Sequence, residues 1–298
     1  MREGLEGLEG LGGLAIGFFD GVHLGHQAIL KGADSALTFR NHPLTVLAPE
    51  KAPRLIMSCE ERVATIRACG VEDVEVLDFT PELAALSPED FVERHLTSPV
   101  SRRPTSVRCG ENWRFGKGGE GSAEFLRGMG IEVTVVPYAE YGGEPVSSSR
   151  IRACLERGEI EDANAMMGRR FRVSGIRFQG KGLGEKIGYP TVNLEISERE
   201  SDELGESPRI RLKRGVYEVE VGGAKAIANY GLAPTMGDRA WPSPVLEVHF
   251  PSNQTIRTIE QSNNLAVEFV RFIRPERKFD SIDDLKRQIA ADCAGIVV

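Results

Sequence analysis

The stretch "LAIGFFDGVHLGHQAIL", residues 14–30, decides how the first half of this chain is read. It opens as an apolar run, "LAIGFF", that reads as a buried strand, and it closes as "GHQAIL", the start of a helix. Between the two, Asp20, His23 and His26 stand among Gly17, Gly21 and Gly25. A strand that passes through glycines into a helix presents free backbone N–H groups where an anion is stabilised. Glycines let a phosphate come close to the main chain. His23 and His26, three apart, project to one side and can donate to phosphate oxygens. The carboxyl end of a strand is also where an α/β sheet binds its ligands. These features point to a nucleotide-phosphate site. A bare HxxH reads equally well as a tight turn with two incidental histidines. It could also suggest a metal, but no further His or Cys cluster accompanies it.

The surroundings of that stretch repeat its alternation. "SALTF" and "VEDVEVLDF" read as strands, and "SCEERVATIRACG" between them as a helix closed by glycine. "SPEDFVERHL" carries its own helix start, with Ser87 as cap, Pro88 at the first position and acids in the first turn. "TSVRCG" and "EVTVVPY" are two more strands around the helix "GSAEFLRGMG". "SRIRACLERGEIEDANAMMG" reads as two short helices broken near Gly158. Strands spaced by helices imply a parallel sheet.

After Gly168 the pattern changes. "RRFRVSGIRF", "GVYEVEV", "AKAIANYG", "VLEVHF" and "LAVEFVRFI" alternate apolar and polar residues between turn signals, which implies an antiparallel barrel or sandwich. "SIDDLKRQIAADCAGIV" closes the chain as a helix capped by Ser281. The expected fold is an α/β Rossmann-like domain over 1–167, followed by a small antiparallel β-barrel domain with a C-terminal helix over 168–298.

Bulk properties agree with two globular domains. The chain has 298 residues, 41% hydrophobic and 27% charged, with a net charge of −7. An acidic balance argues against nonspecific nucleic-acid binding. Five cysteines without a CxxC fit reduced cytoplasmic thiols rather than a disulfide framework or a zinc site. "MREGLEGLEGLGG" lacks the apolar core of a secretory signal, and no stretch is long and apolar enough for a membrane span.

"FDGVHLGH" closely resembles the signature of the HxGH nucleotidyltransferases, and within them that of the prokaryotic bifunctional riboflavin kinase/FAD synthetase family. "LTFRNHP" (37–43) is similar to the family's second-strand motif, with Arg40 and Asn41 where an acid and a proline are usual. "GENWRFG" (110–116) resembles its flavin-side loop. "VSSSRIR" (146–152) resembles its phosphate motif, with Ser149 where threonine is usual. Hydroxyls at a helix start and Arg152 one turn in can hold phosphates, although alone the run reads as an ordinary N-cap. The crossover between Gly25 and "LTF" is short for the family, so the first helix is expected to be brief.

The resemblance implies transfer of an adenylyl group from ATP to FMN. It places ATP against Gly17, Phe19, Asp20, Gly21, His23, Gly25, His26, Ser148, Ser149 and Arg152, with the two histidines catalytic. It places the flavin against His42, Pro43 and Asn112.

In the second half, "GKGLGEKIGYPTVNLEI" (180–196) is neither a Walker loop nor a GxGxxG opening a helix, so it reads as a glycine-rich flap on the barrel. Thr191 and Asn193 lie two apart and face one side of a strand. A hydroxyl and an amide carbonyl suit Mg²⁺, which prefers hard oxygen ligands. "GYPTVN" resembles the riboflavin kinase motif, as do "ANYGLAPTMG" (228–237), "LEVHF" (246–250) and "RPERKFDSIDDLKRQIAAD" (274–292). The resemblance implies ATP at Gly180, Lys181, Gly182, Gly184, Thr191 and Asn193, Mg²⁺ at Thr191 and Asn193, and Glu247 as base for the riboflavin hydroxyl. "PSNQTIRTIEQSNN" departs from the short aromatic and acidic turn usual there.

Three functions compete. The first is a two-step flavin-cofactor enzyme acting on riboflavin, FMN and ATP, a monomer or weak homo-oligomer. The second is a riboflavin kinase whose first module is inactive, suggested by the short crossover and by Asn41. The third is a flavin- or nucleotide-binding protein without catalysis, which would have no need of Glu247.

Overall fold

The computed structural model describes residues 13–96, 106–179, 191–196, 208–232, 244–250 and 263–296. The chain divides into two compact units, one through Ser148 joined by Pro208, and the other from Ser149 onward.

The first unit runs β1 (Gly13–Ile16), α1 (Leu24–Leu30), β2 (Ala33–Phe39), α2 (Leu44–Leu47), α3 (Cys59–Ala68), β3 (Asp73–Leu77), α4 (Pro81–Ala84), α5 (Pro88–Phe91), β4 (Ser106–Gly110), α6 (Ala123–Gly128) and β5 (Glu132–Val136). A small hairpin of β6 (Glu140–Tyr141) and β7 (Glu144–Pro145) follows. The five strands pair in parallel in the order β3-β2-β1-β4-β5. The chain leaves β1 toward one edge and returns to its other side at β4, so the order reverses between β1 and β4. That reversal opens the crevice where doubly wound sheets bind ligands. One face of the sheet buries Leu14, Ile16, Leu37 and Val107 with Phe91 and Phe115.

Local signals explain the helices. Ser58 and Glu61 form a reciprocal capping box at the start of α3. Ser87 caps α5, and its hydroxyl accepts from the Asp90 amide at 3.0 Å. The short crossover is closed by a seven-residue α1. Arg108 of β4 donates from Nε to the Ile29 carbonyl at 2.9 Å and from Nη2 to that of Ala28 at 3.5 Å. A side chain from a neighbouring strand thus satisfies carbonyls that a short helix leaves open.

In the second unit, α7 (Ser148–Arg157, with Ser148 itself in the first unit) and α8 (Ile160–Met167) are separated at Gly158, whose φ of +80° takes the left-handed region that glycine tolerates. Strands β8 (Phe171–Phe178), β9 (Thr191–Ile196), β10 (Gly215–Val221), β11 (Ala224–Leu232), β12 (Pro244–His249) and β13 (Asn264–Arg274) close a barrel in the order β10-β11-β12-β9-β8-β13. Alternate residues such as Leu194, Leu246, Val248 and Tyr217 fill it. The C-terminal helix, α9 (Ile282–Ala294), packs Ile289 and Cys293 on Val216 and Ile227, on the outer face of β10 and β11.

Contacts group α7 and α8 with the barrel. The two helices between 148 and 167 go with the barrel because α8 is stitched to it. Asn164 Nδ2 donates to the Phe269 carbonyl at 2.8 Å, and Asn164 Oδ1 accepts from the Phe171 amide at 2.6 Å.

Candidate active sites

The loop after β1 is wound tightly. Phe19 and Val22 have φ of +58° and +37°, conformations that non-glycine residues hold only under tertiary constraint. The constraint is visible. Phe19 is 1% exposed and packs edge-on to the His26 ring, with centroids 5.3 Å apart. It also lies so close over Gly17 that a Cβ there would stand 2.9 Å from the ring. His23 caps α1, its Nδ1 accepting from the His26 amide at 3.3 Å, and the two imidazoles stack at 3.6 Å. An accepting Nδ1 puts the proton of a neutral His23 on Nε2.

Asp20 has a different part. It is 2% exposed, and its carboxylate accepts from the Ile56 amide at 3.0 Å and the Met57 amide at 3.2 Å. These bonds pin the segment before α3 beneath the loop. Ser148 donates to the Asp20 carbonyl at 2.8 Å, which brings the start of the serine motif to the same loop. The division between units falls directly after it. Ser149 and Arg152 belong to the second unit, where Arg152 Nη2 donates to Ser149 Oγ at 3.3 Å.

At the ends of the neighbouring strands, Asn112 donates to the Tyr138 hydroxyl. Tyr138 carries no motif, and only the closing of β4 beside β5 brings it to Asn112. His42 lies edge-on to Phe18, centroids 4.8 Å apart, and its Nδ1 accepts from the Leu44 amide at 3.1 Å, just past Pro43 at the start of α2. The two unusual residues before it are stitched to the end of β3. Arg40 pairs with Asp78 at 2.7 Å, and Asn41 exchanges hydrogen bonds with the backbone of Phe79 at 2.9 Å. Below them Arg62 is fully buried, donates to the carbonyls of Phe39 and Arg40, and stands 4.3 Å over the Phe18 ring. Sequence reading missed Arg62 because a helical arginine looks like a surface residue.

On the barrel, register builds the second site. Glu247 of β12 is the direct partner of Asn193 on β9 and of Asn229 on β11. Directly opposed residues share a face, so the three side chains form one row on the outside of the barrel. In the next row His249 is paired with Thr191, and its Nδ1 lies 2.9 Å from Thr191 Oγ1. Burial pushes His249 down to about 4, against the pull of the nearby Asp292 charge, so the ring is neutral at pH 7. Burial also raises the carboxyl of Glu247, and the charge of Glu276 raises it further. Asn229 Nδ2 donates to Glu276 Oε1 at 3.1 Å. Asp292 of α9 receives Arg274 at 2.7 Å, and this pair fixes the end of β13. Gly180, Lys181, Gly182 and Gly184 of the flap lie outside the described residues, as does most of the divergent loop after β12.

Residues 12–150 match the FAD synthetase family, and residues 167–297 match the riboflavin kinase family. The chain belongs to the bifunctional riboflavin kinase/FMN adenylyltransferase family. The family's protein from Bacillus subtilis (strain 168) is 31% identical over 94% of this chain and 89% of its own length. That from Escherichia coli (strain K12) is 31% identical over 94% of this chain and 90% of its own. That from Pseudomonas fluorescens is 32% identical over the same shares, 94% and 90%. A solved structure from Streptococcus pneumoniae, described as a macrolide-efflux protein, is similar at 26% identity with a TM-score of 0.75, over 94% of this chain and 92% of that one. Among the described residues of this chain, no helix is long and apolar enough to cross a membrane.

Proposed function

We propose that this protein phosphorylates riboflavin to FMN with ATP and then adenylylates FMN to FAD with release of pyrophosphate. The observation that carries the reading is that both enzyme families match, one in each half of the chain, and that each half retains its polar constellation. The first half keeps the stacked histidines at the sheet's crevice, and the second keeps the Asn193–Glu247–Asn229 row. The adenylyltransferase module is taken as residues 1–167 and the kinase module as residues 168–298.

In the kinase step Glu247 takes the proton of the ribityl 5′-hydroxyl as that oxygen attacks the γ-phosphorus and ADP leaves. Among the described residues no group of three or more His, Cys, Asp or Glu is gathered to hold a metal. Thr191 and Asn193 offer neutral oxygens instead, the donors that suit Mg²⁺ shared with substrate phosphates. Bound there, Mg²⁺ would spread the charge of the phosphates. Thr191 Oγ1 lies 2.9 Å from His249 Nδ1, which holds its hydroxyl in place on this wall. The flap glycines and Lys181 would cover the ATP.

In the adenylyl step the FMN phosphate attacks the α-phosphorus of ATP and pyrophosphate leaves. His23 and His26 contact the phosphates, with Ser148 beside their loop and no covalent nucleophile. His42, Pro43 and Asn112 face the flavin. The well-formed α1, capped by Arg108, supports an active first module over the kinase-only reading. The protein is read as cytoplasmic and as a monomer or weak homo-oligomer.

The test is incubation with riboflavin, ATP and Mg²⁺ followed by chromatography of riboflavin, FMN and FAD. FMN followed by FAD is expected. Glu247→Gln should reduce FMN formation by about 10²–10⁴-fold while added FMN still becomes FAD. No product from the wild-type chain would refute the reading.

A further inference from the structure

Glu276 lies inside the kinase-like segment 274–292, and the resemblance gave it no role. It lies just past β13, on exposed chain, yet its carboxylate is seated on the barrel wall. Asn229 holds Glu276 Oε1 at 3.1 Å, and Asn229 is the cross-strand partner of Glu247. The seat itself is shaped for it. A Cβ on Gly231, two residues along the same face as Asn229, would collide with Glu276 Oε1. Gly231 pairs with Val245, the residue two before Glu247, so the two carboxylates flank neighbouring positions of one outer face. Diagonal neighbours on a sheet lie within reach of long side chains.

Anchoring of this strap is also built in. Arg274 and Asp292 are joined by hydrogen bonds of 2.7–3.2 Å, and Gln288 adds another to Asp292 at 2.7 Å. The chain therefore leaves β13 from a fixed point only two residues before Glu276. Among the described residues, two amides and a second carboxylate, Asn193, Asn229 and Glu276, stand beside Glu247. A carboxylate offers only acceptors, so it can receive the O–H donor of a polyhydroxy ligand.

We propose that Glu276, held by Asn229 over Gly231, accepts the hydroxyl next to the one phosphorylated, making it a specificity residue for a vicinal diol on the ribityl chain. The proposal rests on the kinase reading above. Glu247 then deals with the reacting hydroxyl and Glu276 with its neighbour, and the spacing between them registers the chain.

The experiment compares wild type, Glu276→Ala and Gly231→Ala on riboflavin and on 4′-deoxyriboflavin, with the ATP KM and Mg²⁺ dependence measured in parallel. Loss of a hydrogen bond to a charged group is expected to raise the riboflavin KM by about 10- to 100-fold in Glu276→Ala. The ATP KM and Mg²⁺ dependence should stay unchanged. The variant should also treat riboflavin and the deoxy analogue alike, where the wild type prefers riboflavin. Gly231→Ala should reproduce the effect, because its Cβ evicts the carboxylate without removing it. An unchanged ATP KM and residual FMN formation at saturating riboflavin report that the barrel is folded. An equal loss on both substrates, with discrimination intact, would overturn the proposal in favour of a structural role. A shifted Mg²⁺ dependence with an unchanged riboflavin KM would overturn it in favour of a cation ligand. A wild-type protein that leaves riboflavin unphosphorylated would bring down the kinase reading itself, and this proposal with it.

Discussion

Replacing Asp20 by alanine separates two meanings of the same residue. The acid stands inside the "FDGVHLGH" signature, where resemblance makes it an ATP contact. Its carboxylate accepts from the amides of Ile56 and Met57, which are 1% and 9% exposed. Alanine leaves both buried amides without that acceptor. Each unsatisfied buried donor costs about 1–3 kcal/mol, so the expected loss is about 2–6 kcal/mol. For a unit of this size that corresponds to a fall in Tm of about 5–20 °C. Asp20→Asn keeps one acceptor oxygen and should fall at the lower end. Two compact units need not melt as one, so the loss should appear in a single transition while the other stays in place. Thermal unfolding by circular dichroism measures it. The ATP KM for FAD formation, taken well below the lowered transition, should change little. An unchanged Tm together with a strongly raised ATP KM would refute the structural assignment and make Asp20 a ligand contact.

Two further predictions test other parts of the frame. Arg108→Met removes the donors that close α1, freeing the Ile29 and Ala28 carbonyls, and should cost about 1–3 kcal/mol. FAD formation should fall while FMN formation holds; equal losses in both activities would refute a local role for this cap. Burial and the neighbouring Asp292 push the Cys293 thiol up to about 11. A raised value in the folded state means that the stability contributed by the neutral thiol is complete below its unfolded value and is lost as pH rises toward 11. Between pH 8 and 10.5 the wild type should therefore lose roughly 2 kcal/mol more than Cys293→Ala in urea unfolding, and parallel pH profiles would refute it.

Much of the first unit was legible because its signals are local. Ser58 and Ser87 announce α3 and α5 by side chains three residues from the amides they cap. The glycine-rich loop and its histidines lie within one turn of chain, and the structure holds them together as their spacing implies. Asp20 was the exception. Its partners stand 36 and 37 residues away, and no periodicity reports a buried carboxylate spent on backbone amides. Arg62 was hidden for the same reason, since its partners are carbonyls of a neighbouring loop. The unusual Arg40 and Asn41 look like losses in the sequence. In the fold they stitch their loop to the end of β3 instead, beside the His42 that follows them.

The barrel poses a different problem. Alternation in "VLEVHF" sets Glu247 and His249 against Leu246 and Val248, but it cannot say what covers each side. The structure answers this through closure. The apolar residues fill the barrel, so Glu247 and His249 stand on its outer wall. There α9 covers part of the wall through Ile289 and Cys293, while the Asn193–Glu247–Asn229 row is met by Glu276. One strand therefore carries a half-buried neutral histidine and, two residues away, a carboxyl raised by burial. The difference between them comes from elements that join the wall only after the chain has closed, α9 over one row and the strap from Arg274 beside the other. Glu276 comes to Asn229 and this wall only through that closure, so its position within the kinase-like segment 274–292 gives no local sign of it.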